Sequence, residues 1–407
     1  MERMTEKVHN SEYYQMQHFI SESPWDAEAV KQDVAGDVHA AFKSAALVGF
    51  MLDESGTEKK GKESVGVAHQ YCGNKGKVCN SQVAVYGCLV EGIYGALVDA
   101  RLYLPAEWTN DVARCKKAGI PKGYRQYKKK TELALEMVRA QRKAGIRMDF
   151  VGADAFYGND GEFLEALDSD GELFVIDIHS NRQVYSRRPV IAVPPANPEL
   201  AGRPPKNYQS DIDGSSVEAY MQGLTGNQWE KVQVRKGTKG IINAQVHIKE
   251  VFTWDDKKEV RTHRWLLVIM KITGQDGKTE YRYAFSNAGN EQFTCQQLAH
   301  MMAQRFWIEY CFREMKQEIG MADYQIRGWL AWHHHIALCM MAQYFILTQK
   351  LLLKEDIPLL SAYDIRMMLI KQLMDKQKTD ADLIDQLAIR HQQRQRDINR
   401  YYSKNSS

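Results

Sequence analysis

Residues 45–53 read AALVGFMLD, and this stretch decides the fold. From Ala45 to Leu52 every side chain is apolar or small, with no alternation of polar and apolar positions. A run this short and this continuous predicts a strand buried on both faces. Asp53 closes the run, so a carboxylate is expected at its end.

Upstream, residues 1–44 read as short polar helices, interrupted at Ser23-Pro24 and Gly36. Downstream comes a Gly- and Lys-rich stretch, Gly56 to Gly66. Two strand candidates follow, Ser81–Val90 and Gly95–Leu104, preceded by a turn around Gly73–Gly76 and joined near Glu91–Gly92. Residues 131–144 have helical spacing, with Thr131 as the expected cap and Gly145 as the stop. A strand at Met148–Val151 leads to Asp154. Helix Gly161–Leu167 and strand Leu173–Ile178 complete the run. The order predicts a mixed α/β layer, antiparallel in its first half and parallel in its second. It is compatible with a ribonuclease-H-like core, in which the first strand lies in the sheet centre beside the fourth. On that fold Asp53 and Asp154 come from adjacent strand ends.

After His179 the composition shifts. Six of the ten prolines lie between Pro189 and Pro205, which reads as a linker or an extended arm. Residues 229–286 then alternate like antiparallel strands, with a turn expected at Gln275-Asp276-Gly277. From Glu291 the pattern is helical, with breaks near Gly320, Gly328 and Pro358. The expected division is a helical region at 1–44, a catalytic core at 45–180 and 291–350, a β-rich insertion at 181–290 and a C-terminal helical region at 351–407.

Composition narrows the function classes. Of 407 residues, 44% are hydrophobic and 26% charged, which excludes global disorder. The formal net charge is only +3, so any nucleic-acid surface has to be local. The apolar stretch from Ile336 to Leu347 is broken by Gln343 and falls short of the ~20 residues of a membrane span, so no membrane partner is expected. The N-terminal MERMTEKVHNSEYY has no apolar core of a secretory signal. Seven cysteines, odd in number and scattered, predict a reducing, cytoplasmic setting rather than a disulfide framework. Cys72 and Cys79 lack a second ligand pair at zinc spacing and read as buried thiols. His333, His334 and His335 point in three directions on a helix, which favours packing over one metal.

Three acids stand out by context. Asp53 ends an apolar strand, Asp154 follows another, and Glu309 lies in the helical stretch RFWIEYCFREMKQEIG. At about 100° per residue, Arg305 lies about 40° from Glu309 around a helix and Lys316 about 20° from it. One face of a continuous helix then carries all three. Two divalent metals about 3.5–4 Å apart activate a nucleophile and stabilise a leaving oxygen in phosphodiester cleavage. Hard Mg²⁺ takes carboxylate oxygens. Arg305 and Lys316 beside the acids suit phosphate contacts; a surface salt-bridge ladder is the plainer alternative.

At this point the residues resemble a family. LDESGTEKKGKESVGVAHQYCGNKGKVCNSQVAV (52–85), LVDARLYLPAEW (97–108), TELALEMV (131–138), GADAFYG (152–158), RKGTKG (235–240) and RFWIEYCFREMKQEIGMADYQIRGWLAWHHHIAL (305–338) occur in family order. The chain is identified as similar to DDE-type insertion-sequence transposases, most closely the insertion-sequence 701 family within the insertion-sequence 4 group. The resemblance implies a ribonuclease-H-like catalytic core interrupted by a β-rich insertion, with helical N- and C-terminal regions. It implies cleavage of transposon DNA ends and joining of the 3′-hydroxyl to target DNA with two Mg²⁺ ions, Mn²⁺ substituting. The catalytic and metal-holding acids fall on Asp53, Asp154 and Glu309. The group's Tyr-Arg-Glu-Lys signature falls on Arg305, Glu309 and Lys316, with Met302 at the Tyr position. Relatives often carry more residues ahead of the stretch matching 2–26, so a shortened N-terminal DNA-binding region or an upstream start is expected. The implied partners are terminal inverted repeats and target DNA, met by a homodimer in a bacterial cytoplasm.

DNA contacts are expected on local basic stretches. Between Ala113 and Lys130 there are eight Lys/Arg and no Asp/Glu, ending in Lys128, Lys129 and Lys130. Arg235 and Lys239, flanking Gly237, form a second patch, and Lys59, Lys60 and Lys62 follow Asp53. Trp307 either stacks on an unpaired base or packs in the core. Two other readings stand beside the transposase: a transposon-derived DNA-binding protein that no longer cleaves, and a nuclease of the same core that does not join strands.

Overall fold

The computed structural model describes residues 13–195, 205–237, 240–254, 260–274, 277–289, 291–374 and 379–405. The chain divides into two units. One is built from Met1–Trp25 and Thr348–Ser407, the other is Asp26–Leu347.

The larger unit is organised on one mixed sheet. Its strands are β1 (Gly49–Glu58), β2 (Ala68–Cys72), β3 (Lys77–Glu91), β4 (Tyr94–Leu102), β5 (Phe150–Ala153), β6 (Phe174–Asp177), β7 (Glu230–Gly237), β8 (Gly240–Thr253), β9 (His263–Thr273) and β10 (Thr279–Ser286). They run in the order β7-β8-β9-β10-β6-β5-β1-β3-β2, with β4 also on β3. β1 therefore lies where the sheet changes hand: antiparallel to β3 on one side, parallel to β5 on the other. Gly49 to Leu52 are buried, as the unbroken apolar run requires.

Asp53 does not end this strand. Pairing with β3 continues from Gly49↔Val90 to Glu58↔Ser81, whereas pairing with β5 stops at Leu52↔Ala153. The apolar run ends where the parallel neighbour ends, and the antiparallel neighbour carries β1 onward. The 229–286 segment forms the antiparallel strands β7–β10. Its last strand β10 pairs antiparallel with β6, so β7–β10 extend the central sheet. The expected turn at Gln275-Asp276 and most of the proline-rich stretch lie outside the described residues. Around that stretch, Ile191–Ala192 pairs with Gln209–Ser210.

Helices cover the sheet. α1 (Ala27–Ala41) packs on β4, and Gly36 sits within it without breaking it. α2 (Lys130–Lys143) packs on β3 and β4 and ends at Gly145, whose φ of +78° turns the chain. Its N-cap is Lys129 rather than Thr131, because the Thr131 hydroxyl donates instead to Asp160 Oδ2 at 2.8 Å. α3 (Gly161–Ser169) connects β5 to β6. α4 (Cys295–Gln304) packs on β7, and α5 (Phe306–Glu314) on β4. α6 (Trp329–Leu352) follows. Among the described residues no helix is long and apolar enough to cross a membrane.

The smaller unit contains the helices Tyr13–Ser21, Ala362–Met374 and Asp380–Asn405. Within it Phe19 stacks on Trp25 at 5.5 Å, and Arg396 Nη1 donates to the Tyr14 hydroxyl at 2.7 Å.

Candidate active site

Strand register sets the geometry. Leu52 faces Ala153 across the β1–β5 pair, and Ala153 faces Ile176 across β5–β6. The next residue of each strand is an aspartate: Asp53, Asp154 and Asp177. Three carboxylates thus follow, in register, the last parallel-paired residues of β1, β5 and β6, and at β1 the sheet switches from parallel to antiparallel. Open α/β sheets bind ligands at this place.

Each aspartate is held by its own local structure. Asp53 Oδ1 accepts the Glu54 backbone N–H at 2.7 Å. Asp154 caps the helical turn Ala155–Gly158, its Oδ1 accepting the Phe156 N–H at 3.0 Å. That turn lies against β6 only because residue 158 is glycine: a Cβ there would collide with the carbonyl oxygen of Asp177. Burial, then the neighbouring charge of Asp154, pushes the Asp53 carboxyl up to about 8, against the pull of Arg305. Burial, then Glu54, also raises Asp154 above its ordinary value. Among the described residues no Lys or Arg side chain pairs with either of these two acids.

The nearby cations are engaged elsewhere. Arg305 Nε donates to Asp177 Oδ2 at 2.8 Å, and its Nη1 donates to Glu309 Oε1 at 2.6 Å. Burial still pushes Asp177 up to about 6. Lys130 Nζ pairs with Glu54 Oε1 at 2.7 Å, and the Tyr157 hydroxyl donates to Glu54 Oε2 at 3.5 Å. Lys316 Nζ makes no hydrogen bond among the described residues; burial lowers its pKa, while the charges of Cys72 and Asp53 act the other way.

Glu309 is therefore held by Arg305, the same guanidinium that Asp177 anchors. Among the described residues no group of three or more His, Cys, Asp or Glu stands close enough to hold one metal ion. Asp53 and Asp154 come together; a preassembled cage of Asp53, Asp154 and Glu309 does not. Of the single helix face expected for Arg305, Glu309 and Lys316, the Arg305–Glu309 part holds, the two meeting as an i,i+4 ion pair, whereas Lys316 lies in a different winding. The chain breaks at Arg305 between α4 and α5, and Met315–Ile319 winds as a π-helix ending at Gly320. A π turn takes more residues than an α turn, so it shifts Lys316 relative to Glu309. Met302 is buried within α4. Trp307 is half-buried, edge-on to Phe306 at 5.3 Å and to Tyr310 at 5.6 Å.

The basic stretch is largely paired. Lys128 meets Glu136 at 2.5 Å and Lys129 meets Glu162 at 3.1 Å. Arg114 lies over the Trp108 ring at 3.7 Å. Lys59 donates to Tyr324 O at 2.9 Å, and burial lowers its pKa to about 8. The Arg235 side chain and Lys239 lie outside the described residues. His333 and His334 are buried, and His335 Nε2 donates to Met321 O at 3.2 Å. Cys72 and Cys79 are buried free thiols.

The motif reading missed Asp177 and Glu54. Asp177 had a signal: Phe174-Val175-Ile176-Asp177 repeats the pattern Phe50-Met51-Leu52-Asp53, an acid closing an apolar strand. Glu54 had none, since strand alternation turns it away from Asp53.

Fold and site together define an α/β protein with paired carboxylates at the switch point of a large mixed sheet. Residues 1–241 match the family described as DDE superfamily endonuclease, and the chain belongs to that family. It is similar to the probable transposase for insertion sequence element IS701 of Microchaete diplosiphon, with 24% identity over 314 residues, 76% of this chain and 68% of that protein. Among solved structures it is similar to the piggyBac transposase synaptic complex with hairpin DNA, with 11% identity and a TM-score of 0.29. That match covers 82% of this chain and 59% of the piggyBac chain.

Proposed function

We propose that this chain is a transposase that cleaves transposon DNA ends and joins the freed 3′-hydroxyl to target DNA. The observation that carries the reading is the Asp53–Asp154 pair, two neighbouring carboxylates whose affinity for protons is raised despite the charge of Arg305 and with which no Lys or Arg among the described residues forms an ion pair. An oxygen-only donor pair of this kind fits a hard divalent cation such as Mg²⁺ or Mn²⁺. Family membership and the IS701 relative support the same reading. The strand order β4-β3-β1-β5-β6 supports a ribonuclease-H-like core, since β1 is central among these five and parallel to β5, the fourth of them in chain order.

In this proposal Asp53 and Asp154 hold the metal, with Glu309 joining once it leaves Arg305. Divalent cations held there would supply activation of a water and charge neutralisation at the leaving oxygen. Arg305 stays anchored on Asp177 and turns its freed Nη1 toward a phosphate oxygen. Lys316 offers an ammonium with no hydrogen-bond partner among the described residues to a second phosphate, and Lys129 one more. Lys130 neutralises Glu54 and keeps that carboxylate from adding to the charge on the pair. Terminal inverted repeats and target DNA are the substrates, bound by a homodimer in the bacterial cytoplasm.

The test uses labelled inverted-repeat ends with Mg²⁺. Asp53→Asn, Asp154→Asn and Glu309→Gln each abolish nicking and strand joining while leaving binding of the ends within a few-fold. Full cleavage by any of the three removes that residue from the site, and binding without nicking by the unaltered chain favours an accessory DNA-binding protein.

A further inference from the structure

Beside the aspartate pair opens a cleft of about 950 Å³, walled by Tyr103, Tyr127, Lys129, Lys130, Phe156 and Arg261 among others. Phe156 is fixed through its backbone to Asp154, yet its ring is 47% exposed, and Tyr127 is 50% exposed. Large rings left in water within one concavity, next to a reactive centre, match a ligand with flat apolar faces. Tyr103 meets Tyr127 edge-on with centroids 6.4 Å apart. Lys130 Nζ lies 5.3 Å from the Phe156 ring centre and 5.7 Å from that of Tyr103 while pairing with Glu54, the residue after Asp53. The cleft wall is thus tied at Phe156 to Asp154 and at Lys130 to the neighbour of Asp53.

The acids of the cleft are engaged. Asp160 accepts the Thr131 hydroxyl at 2.8 Å and the Phe163 N–H at 3.2 Å. Glu162 is paired with Lys129 and Glu165 with Arg261. The charges of Glu162 and Glu165 are thus offset, while the Asp160 carboxylate is held by neutral donors at the ends of α2 and α3. The Lys129–Glu162 pair is exposed on both sides, which leaves it weak and open to exchange with phosphate. The cleft's size lies at the upper end of small-ligand pockets, which suits a stretch of polymer better than one small molecule.

We propose that this cleft holds unpaired nucleotides of a DNA strand leaving the aspartate centre, with bases stacked on Phe156 and Tyr127 and Lys129 on the backbone. The inference rests on the DNA-cutting reading of the same centre and names a part of its substrate. Unstacked bases suit these rings because every base presents a π face, so no base identity is required.

Binding of a short fluorescent oligothymidylate, and of its duplex with the complementary strand, is measured in EDTA with the full chain. Phe156→Ala and Tyr127→Ala each weaken single-strand binding roughly 10-fold, the double variant further, and duplex affinity is unchanged. Phe156→Trp retains binding. Both rings are half exposed, so truncation leaves the core intact. Unchanged single-strand affinity in the double variant overturns the inference, as does an equal fall for single strand and duplex. Because the assay contains no metal, it is separate from cleavage. Ring-dependent strand binding in a chain that never nicks DNA supports the cleft and removes the transposase. Nicking with ring-independent strand binding does the reverse.

Discussion

Arg305 is anchored to Asp177: its Nε donates to Asp177 Oδ2 at 2.8 Å, at the end of the third parallel strand. The same guanidinium holds Glu309 through Nη1 at 2.6 Å, so one side chain spans a strand-end acid and a helix acid. Both Arg305 and Asp177 are mostly buried, with side-chain exposures of 20% and 18%. A pair this shielded should be coupled. Arg305→Ala leaves Asp177 without its cation, a loss of about 1–3 kcal/mol, and much of that loss disappears in an Asp177→Asn background. Urea unfolding of the two single variants and the double measures the coupling. Additivity within about 0.5 kcal/mol would show the pair to be incidental.

The raised carboxyls set a direction for pH. Asp53 is pushed from 3.8 to about 8 and Asp177 from 3.8 to about 6. Between the unfolded and folded values the folded chain binds more protons than the unfolded one. Metal-free stability therefore falls as pH rises through that window, the opposite of an acid held in a salt bridge. Asp53→Asn flattens the slope and raises Tm above that of the unaltered chain near pH 8. Thermal unfolding in EDTA across the window checks this; a Tm that climbs with pH over the same interval contradicts the assigned burial of Asp53.

Lys316 carries a similar cost with opposite charge. Burial lowers its pKa, so the folded state disfavours the ammonium, and stability is reduced where the group is protonated. Lys316→Met keeps the bulk and removes the charge. The expected result is an unchanged or higher Tm without DNA, together with weaker DNA binding. The slope of log affinity against log salt should shrink by about 0.9, the value of one phosphate contact. A lower Tm with an unaltered salt slope would make Lys316 structural.

Much of this arrangement is legible in the residues, for a physical reason. Strands buried on both faces write themselves as unbroken apolar runs, and AALVGFML and FVID both do so. The acid after each run marks where parallel pairing ends, at Leu52 for β1 and at Ile176 for β6. What is not legible depends on partners distant in sequence. β1 runs past Asp53 because β3 is long enough to keep pairing with it. β10 joins the central sheet through β6, a contact no local pattern encodes. The break at Arg305 has neither Gly nor Pro to announce it, and the π turn at Met315–Ile319 is likewise silent in the sequence. These two irregularities decide where Glu309 and Lys316 stand, which is why helical spacing located their neighbourhood but not their partners.

The central claim is that Asp53 and Asp154 share a divalent cation. Titration of Mn²⁺ into the chain, followed by its electron paramagnetic resonance signal without DNA, tests it most directly. The account predicts saturable binding that is lost in Asp53→Asn and in Asp154→Asn, with both variants folded. Binding of equal affinity in either variant would contradict it.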